Sequence, residues 1–191
     1  MGEVMELIKK IQTNEKLAEY VCQFCEFEIR EYRLNRYRDK TLFLDGDSAN
    51  YDLVLIGIDN AGGKYCLMNN KYIGYADSEG SCDRLANSIE DFVQFILNCP
   101  FWYNRFGRKN FLDSFESFQE EMAEQREDFR NEETSEEASK LFEEFLRENN
   151  LNDNLETIYK KLMEALTAEP KFVIKNEPED YSWDNFYKTK K

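Results

Sequence analysis

The chain has 191 residues, 25 Lys plus Arg against 39 Asp plus Glu, a net charge of −14, 41% apolar residues and no histidine. The missing histidine excludes Ser-His-Asp and Cys-His catalysis, HExxH zinc hydrolases and histidine phosphate relays. The acidic balance, at a pI near 4.6, argues against nucleic acid and anionic membrane surfaces, because phosphate contacts need Lys and Arg.

In chain order, Val4, Leu7, Ile8 and Ile11, then Leu17, Tyr20, Val21 and Phe24, recur at helical spacing. Residues 26–34 fit neither period cleanly, with Phe27, Ile29, Tyr32 and Leu34 unevenly placed. The middle changes character. Thr41–Asp45, Tyr51–Ile58, Lys64–Asn69 and Lys71–Ala76 are short runs rich in β-branched, aromatic and aliphatic residues, separated by Gly, Asn and Asp. Asn69-Asn70 reads as a two-residue hairpin turn, since Asn tolerates positive φ. Ser88 is placed to cap a helix whose Ile89, Phe92, Val93, Ile96 and Leu97 face the core, and Pro100 ends it.

Residues 113–148 carry fourteen acids against four bases, a net of −10, yet this block is not a disordered tail. Leu112, Phe115, Phe118, Met122 and Phe129 line one helix face, and Ala138, Leu141, Phe142, Phe145 and Leu146 line another. Thr134 with Glu137 reads as a capping box for the second. Leu155, Ile158, Tyr159, Leu162 and Leu166 predict a third helix, with Asp153 as its cap. No internal repeat is read from the sequence. Helices, an antiparallel meander and more helices make an α+β layout, a single domain over the 191 residues, large enough to bury a core without a staple.

Several chemical motifs are weighed against plainer readings. Gly57-Ile58-Asp59-Asn60-Ala61-Gly62-Gly63-Lys64-Tyr65 resembles a phosphate-binding loop, but Tyr65 stands where Mg²⁺ coordination needs Ser or Thr. It reads as a tight glycine-rich turn between strands. Asp45-Gly46-Asp47 fails as a calcium loop, because Asn50 and Ile56 stand where Gly and Glu are required. Cys22-Gln23-Phe24-Cys25 has redox spacing but falls inside a helix, so it reads as a buried pair of small apolar side chains. The odd count of five cysteines predicts free thiols in a reduced, cytoplasmic protein. The opening Met1-Gly2-Glu3-Val4 lacks the basic start and apolar run of a signal peptide. Asp77 and Glu79 form a carboxylate pair of the kind glycosidases use, with a solvated acidic surface as the plainer reading. Trp102 and Tyr103 read equally as an exposed aromatic patch and as core. No catalytic, metal or cofactor residue is expected.

The segment from Leu55 to Trp102 carries an ordered set of marks. Gly57-Ile58-Asp59-Asn60-Ala61-Gly62-Gly63 leads into a strand and hairpin, then Tyr75-Ala76-Asp77-Ser78-Glu79-Gly80, then Ala86-Asn87-Ser88 with Phe92 opening a helix. In this order the segment resembles the SUKH superfamily, which includes bacterial immunity proteins and a fungal cell-wall assembly regulator. The similarity covers about residues 41–105, with an acidic helical part over about 111–167. The chain departs from many members in having no acidic-Leu-Pro segment, its first proline being Pro100.

The resemblance implies a central, largely antiparallel sheet flanked by helices, and binding to a protein, usually a secreted toxin domain. An acidic, histidine-free chain suits inhibition of a basic enzyme such as a nuclease, whose cationic cleft it would occlude. The expected contact residues are Asp59, Asn60, Tyr75, Asp77, Glu79 and Trp102. The other readings are an intracellular regulatory or scaffold module and a carboxylate-dependent hydrolase.

Overall fold

Asn14 divides the first apolar stretch into two helices, α1 (Glu6–Thr13) and α2 (Glu15–Cys25), because its side chain accepts from the Leu17 N–H at 3.1 Å and starts a new helix. The computed structural model describes residues 5–30, 47–104, 111–176 and 181–187. The strand expected over Thr41–Asp45 lies outside the described residues. Of the ambiguous stretch, Glu28–Ile29 forms a short strand, β1.

The fold is α+β, as the element order implies. β3 (Leu53–Ile58), β4 (Lys64–Met68), β5 (Tyr72–Ala76) and β6 (Cys82–Ala86) form the meander, and β1 joins its edge, giving an antiparallel sheet of order β1-β3-β4-β5-β6. Asn69 and Asn70 take φ of 50° and 57° and turn the β4–β5 hairpin, but Met68 pairs with Tyr72, so Lys71 also lies in the connection and the loop has three residues rather than the two expected. Strand β6 was not anticipated, because Asp83 and Arg84 break its apolar run, yet both are buried.

Pleat sorts the side chains to two faces. On one, Tyr65, Leu67, Ile73, Tyr75 and Leu85 join the main core. α3 (Ile89–Asn98) packs there, capped by Ser88 Oγ accepting from the Asp91 N–H at 3.1 Å. Phe27, Tyr65 and Phe92 lock edge to face, with Phe27 5.0 Å from Tyr65 and 5.1 Å from Phe92. On the other face Met68, Ala76 and Cys82 meet Phe172 and Ile174. Ile174 belongs to a second, three-stranded sheet of β2 (Asp47–Ala49), β7 (Ile174–Asn176) and β8 (Tyr181–Ser182), in the order β2-β7-β8.

The acidic block folds into α4 (Phe115–Arg130) and α5 (Ser135–Glu148), followed by α6 (Leu155–Thr167). Phe129 of α4 stacks on Phe142 of α5 at 6.4 Å and meets Phe24 of α2 at 4.9 Å, which ties these helices to the same core. Two caps differ from expectation. Thr134 makes no side-chain cap bond; instead Ser135 Oγ donates to the Arg130 carbonyl at 3.2 Å. Asn154 rather than Asp153 caps α6, accepting from the Thr157 N–H at 2.9 Å. Leu112 precedes α4, whose cap is Ser114.

Among the described residues no helix is long and apolar enough to cross a membrane. All five cysteines are free thiols. Cys25 is buried and donates to the Ile96 carbonyl at 3.2 Å, but Cys22 is half-exposed, so the two are not a buried pair.

Candidate functional site

Two loops leave the same end of the sheet, because β3–β4 and β5–β6 are alternate turns of one meander. They are built alike. Asp59-Asn60-Ala61-Gly62-Gly63 and Asp77-Ser78-Glu79-Gly80-Ser81 each place a carboxylate first and a left-handed glycine fourth, Gly62 at φ 92° and Gly80 at φ 96°. In the first, Asp59 Oδ1 accepts from the N–H groups of Ala61 at 2.8 Å and Gly63 at 2.7 Å. In the second, Asp77 Oδ1 accepts from Glu79 at 2.9 Å and Ser81 at 2.8 Å. Backbone bonds close each base, Asp59 N–H to the Gly63 carbonyl at 3.0 Å and Asp77 N–H to the Ser81 carbonyl at 2.9 Å. This five-residue repeat was legible in the sequence as two D-x-x-G strings, and was missed because nothing larger repeats. The phosphate-loop look of residues 57–65 is accounted for by this turn.

The structure gathers the six expected contact residues at this end and divides them by burial. Asp59 is 4% exposed, and Tyr75 and Trp102 are fully buried. These three lie inside the fold rather than on its surface. The Tyr75 hydroxyl donates to Asp59 Oδ2, and Trp102 donates its Nε1–H to the Cys25 carbonyl at 3.2 Å with its ring 5.7 Å from Tyr75. Each serves the foundation, since buried polar groups need partners inside the fold. Asn60 and Glu79 are exposed and Asp77 is half-buried. Because Asp77 holds two backbone N–H groups, Asn60, Ser78 and Glu79 are what the loops present outward. The same commitment weakens the reading of Asp77 with Glu79 as an acid/base pair.

Three further residues complete the face. Glu26 follows α2 in the left-handed conformation, φ 53°, and its Oε2 accepts from Asn60 Nδ2 at 2.9 Å. Burial pushes this carboxyl's pKa up, hydrogen bonds from Asn60 oppose the shift, and the Asp59 charge adds to it. Tyr103 lies half-buried with its ring 6.1 Å from Tyr75. Burial raises the Tyr103 phenol's pKa, a hydrogen bond with Tyr75 offsets part of this, and the charges of Asp59, Asp77 and Glu79 raise it again. Phe186, near the C-terminus, stacks on Tyr75 at 5.6 Å. It is held there by its neighbours: Asn185 donates to the Cys82 carbonyl at 2.8 Å, and buried Asp83 accepts from the Tyr187 N–H, also at 2.8 Å. No periodic signal marked Glu26 or Phe186, whose roles arise from contacts 34 and 111 residues away along the chain.

The arrangement offers hydrogen-bond acceptors and negative charge on a stiff base. Among the described residues no three His, Cys, Asp or Glu side chains are grouped to hold a metal ion. Comparison with protein-family models, curated proteins and solved structures gives no match for this chain.

Proposed function

We propose that this chain acts by binding rather than catalysis, as an immunity-type inhibitor that lays the acidic loop end of its sheet over the active site of a cationic toxin domain. The observation that carries this reading is the paired loop. Two identical carboxylate-braced turns hold Asn60, Ser78 and Glu79 outward on a five-stranded sheet, and recognition groups are commonly presented on loops fixed by such a scaffold. The net charge of −14 supports it by attracting a basic partner over long range. The SUKH resemblance of residues 41–105 supports it from the sequence, and free thiols suit a cytoplasmic site of action.

The test is a rescue. A toxin domain encoded beside this gene is expressed in a sensitive host with and without the chain. Restored growth and co-elution of the purified pair are the expected results. Continued killing, with no complex formed at low salt, would remove the inhibitory reading.

A further inference from the structure

The acidic helices enclose a cationic groove. Only four bases occur in residues 113–148. One, Lys140, pairs with Glu136 at 2.9 Å. The other three, Arg126, Arg130 and Arg147, all line one groove of about 710 Å³ between α4, α5 and the end of α3. None of them makes an ion pair among the described residues, although Glu127, Glu143 and Glu144 lie one helical turn from Arg130 or Arg147. Arg126 instead reaches the Asn98 carbonyl at 3.4 Å. Arg126 and Arg130 are four apart on α4, a like-charge spacing that destabilises a helix. The floor is apolar: Leu97, Pro100, Phe129, Phe142 and Leu146. Glu143 and Asp153 also border the groove, so three guanidiniums face two carboxylates in a chain whose overall balance is strongly the reverse.

We infer that this groove is a binding site for a small anion with an apolar body, of the class of a medium-chain or aromatic carboxylate. An arginine fork matches a carboxylate in geometry as well as charge, and the aromatic floor suits an apolar body. A few placed charges over an apolar lining, in a cleft of 300–1,000 Å³, is the usual form of a small-molecule site. Dimensions favour this over a docked helix. On α5 the lining runs from Ser139 to Arg147, about 12 Å at 1.5 Å per residue, which is only about two helical turns.

The inference is independent of the inhibitory reading and is tested on the protein alone. The probe is 1-anilinonaphthalene-8-sulfonate, an anionic aromatic fluorophore, titrated into the folded chain at low salt. Saturable binding is expected, displaced by dodecanoate but not by dodecyltrimethylammonium at equal concentration. Arg126→Gln with Arg130→Gln and Arg147→Gln should weaken binding at least tenfold, while the fold loses no more than the Arg126 hydrogen bond to the Asn98 carbonyl and the helix-end charges of Arg130 and Arg147. Ser139→Trp, which fills the groove and keeps every charge, should block the probe as well. Unsaturable binding, equal displacement by the cationic detergent, or full binding by both variants would overturn the assignment.

Discussion

Tyr65 and Tyr75 face each other across strands β4 and β5, their rings 4.8 Å apart, yet among the described residues only the Tyr75 hydroxyl has a hydrogen-bond partner. Tyr75 braces Asp59, the residue that organises the first loop. Among the described residues the Tyr65 hydroxyl is buried without a partner. Burial pushes the pKa of both phenols well above the ordinary value, and the Asp59 hydrogen bond pushes Tyr75 further.

The two tyrosines therefore predict opposite responses to loss of the same atom. Tyr75→Phe leaves a buried carboxylate oxygen unpaired and should cost about 1–3 kcal/mol. Tyr65→Phe removes an unsatisfied group and should be neutral or stabilising. Urea denaturation of the two variants beside the parent decides this, and equal losses would contradict the assignment of partners.

The fold was legible where one period dominates. Helices α2 and α3 and the β4–β5 hairpin follow directly from apolar spacing, Ser88 and Asn69-Asn70. Strand β6 was hidden because Asp83 and Arg84 break its pattern, and both are reconciled mainly by partners distant in the chain. Arg84 donates to the Tyr51 hydroxyl at 2.5 Å and lies 4.2 Å from the Tyr72 ring centre, while Asp83 receives the Tyr187 N–H. The site was legible as a region and not as a surface. Asp59 and Asp77 have the same role in the same turn, but a sequence does not show which face of a loop a carboxylate turns to.

Adjacent glycines of the first loop should fail for different reasons. At Gly62 the backbone has φ 92° and a Cβ would meet nothing within 4 Å, so Gly62→Ala should cost only the left-handed penalty, about 1–2 kcal/mol. At Gly63 a Cβ would fall 2.6 Å from the Tyr75 hydroxyl and against the Asp59 carboxylate. Gly63→Ala should therefore lose more stability, and Tyr75→Phe should relieve only the hydroxyl's share of that loss, because the Asp59 carboxylate and the Tyr75 ring edge at 2.9 Å stay in place. Simple additivity of the two changes would argue against the clash.

Burial of Asp83 gives a pH signature. Its pKa is raised to about 7, burial outweighing the Tyr187 N–H and the nearby Lys171 charge. A folded-state value above the unfolded one means stability that is complete below about pH 4 and lost as pH rises through about 7, roughly 4 kcal/mol in full. Asp83→Asn keeps an acceptor for Tyr187 and cannot ionise. Relative to that variant, the parent should lose stability between about pH 4 and pH 7. Parallel stability curves over that window would show that Asp83 does not titrate there.

Charge reversal separates contact from steering under the proposed inhibition. Glu79 is exposed at the tip of the second loop and its side chain holds no described part of the fold together, whereas Asp77 carries the turn. Glu79→Lys should leave the melting temperature unchanged and speed dissociation of the toxin complex, since a charge in a desolvated contact is worth about 2–5 kcal/mol. Glu132→Lys with Glu133→Lys alters the exposed turn between α4 and α5, far along the chain from the loops. That pair should slow association only, and the deficit should shrink near 0.5 M salt, where the screening length falls to about 4 Å. Association and dissociation rates measured at two salt concentrations distinguish the roles. A harmless Glu79→Lys beside a double variant that fails at every salt would move the binding face from the sheet end to the acidic helices.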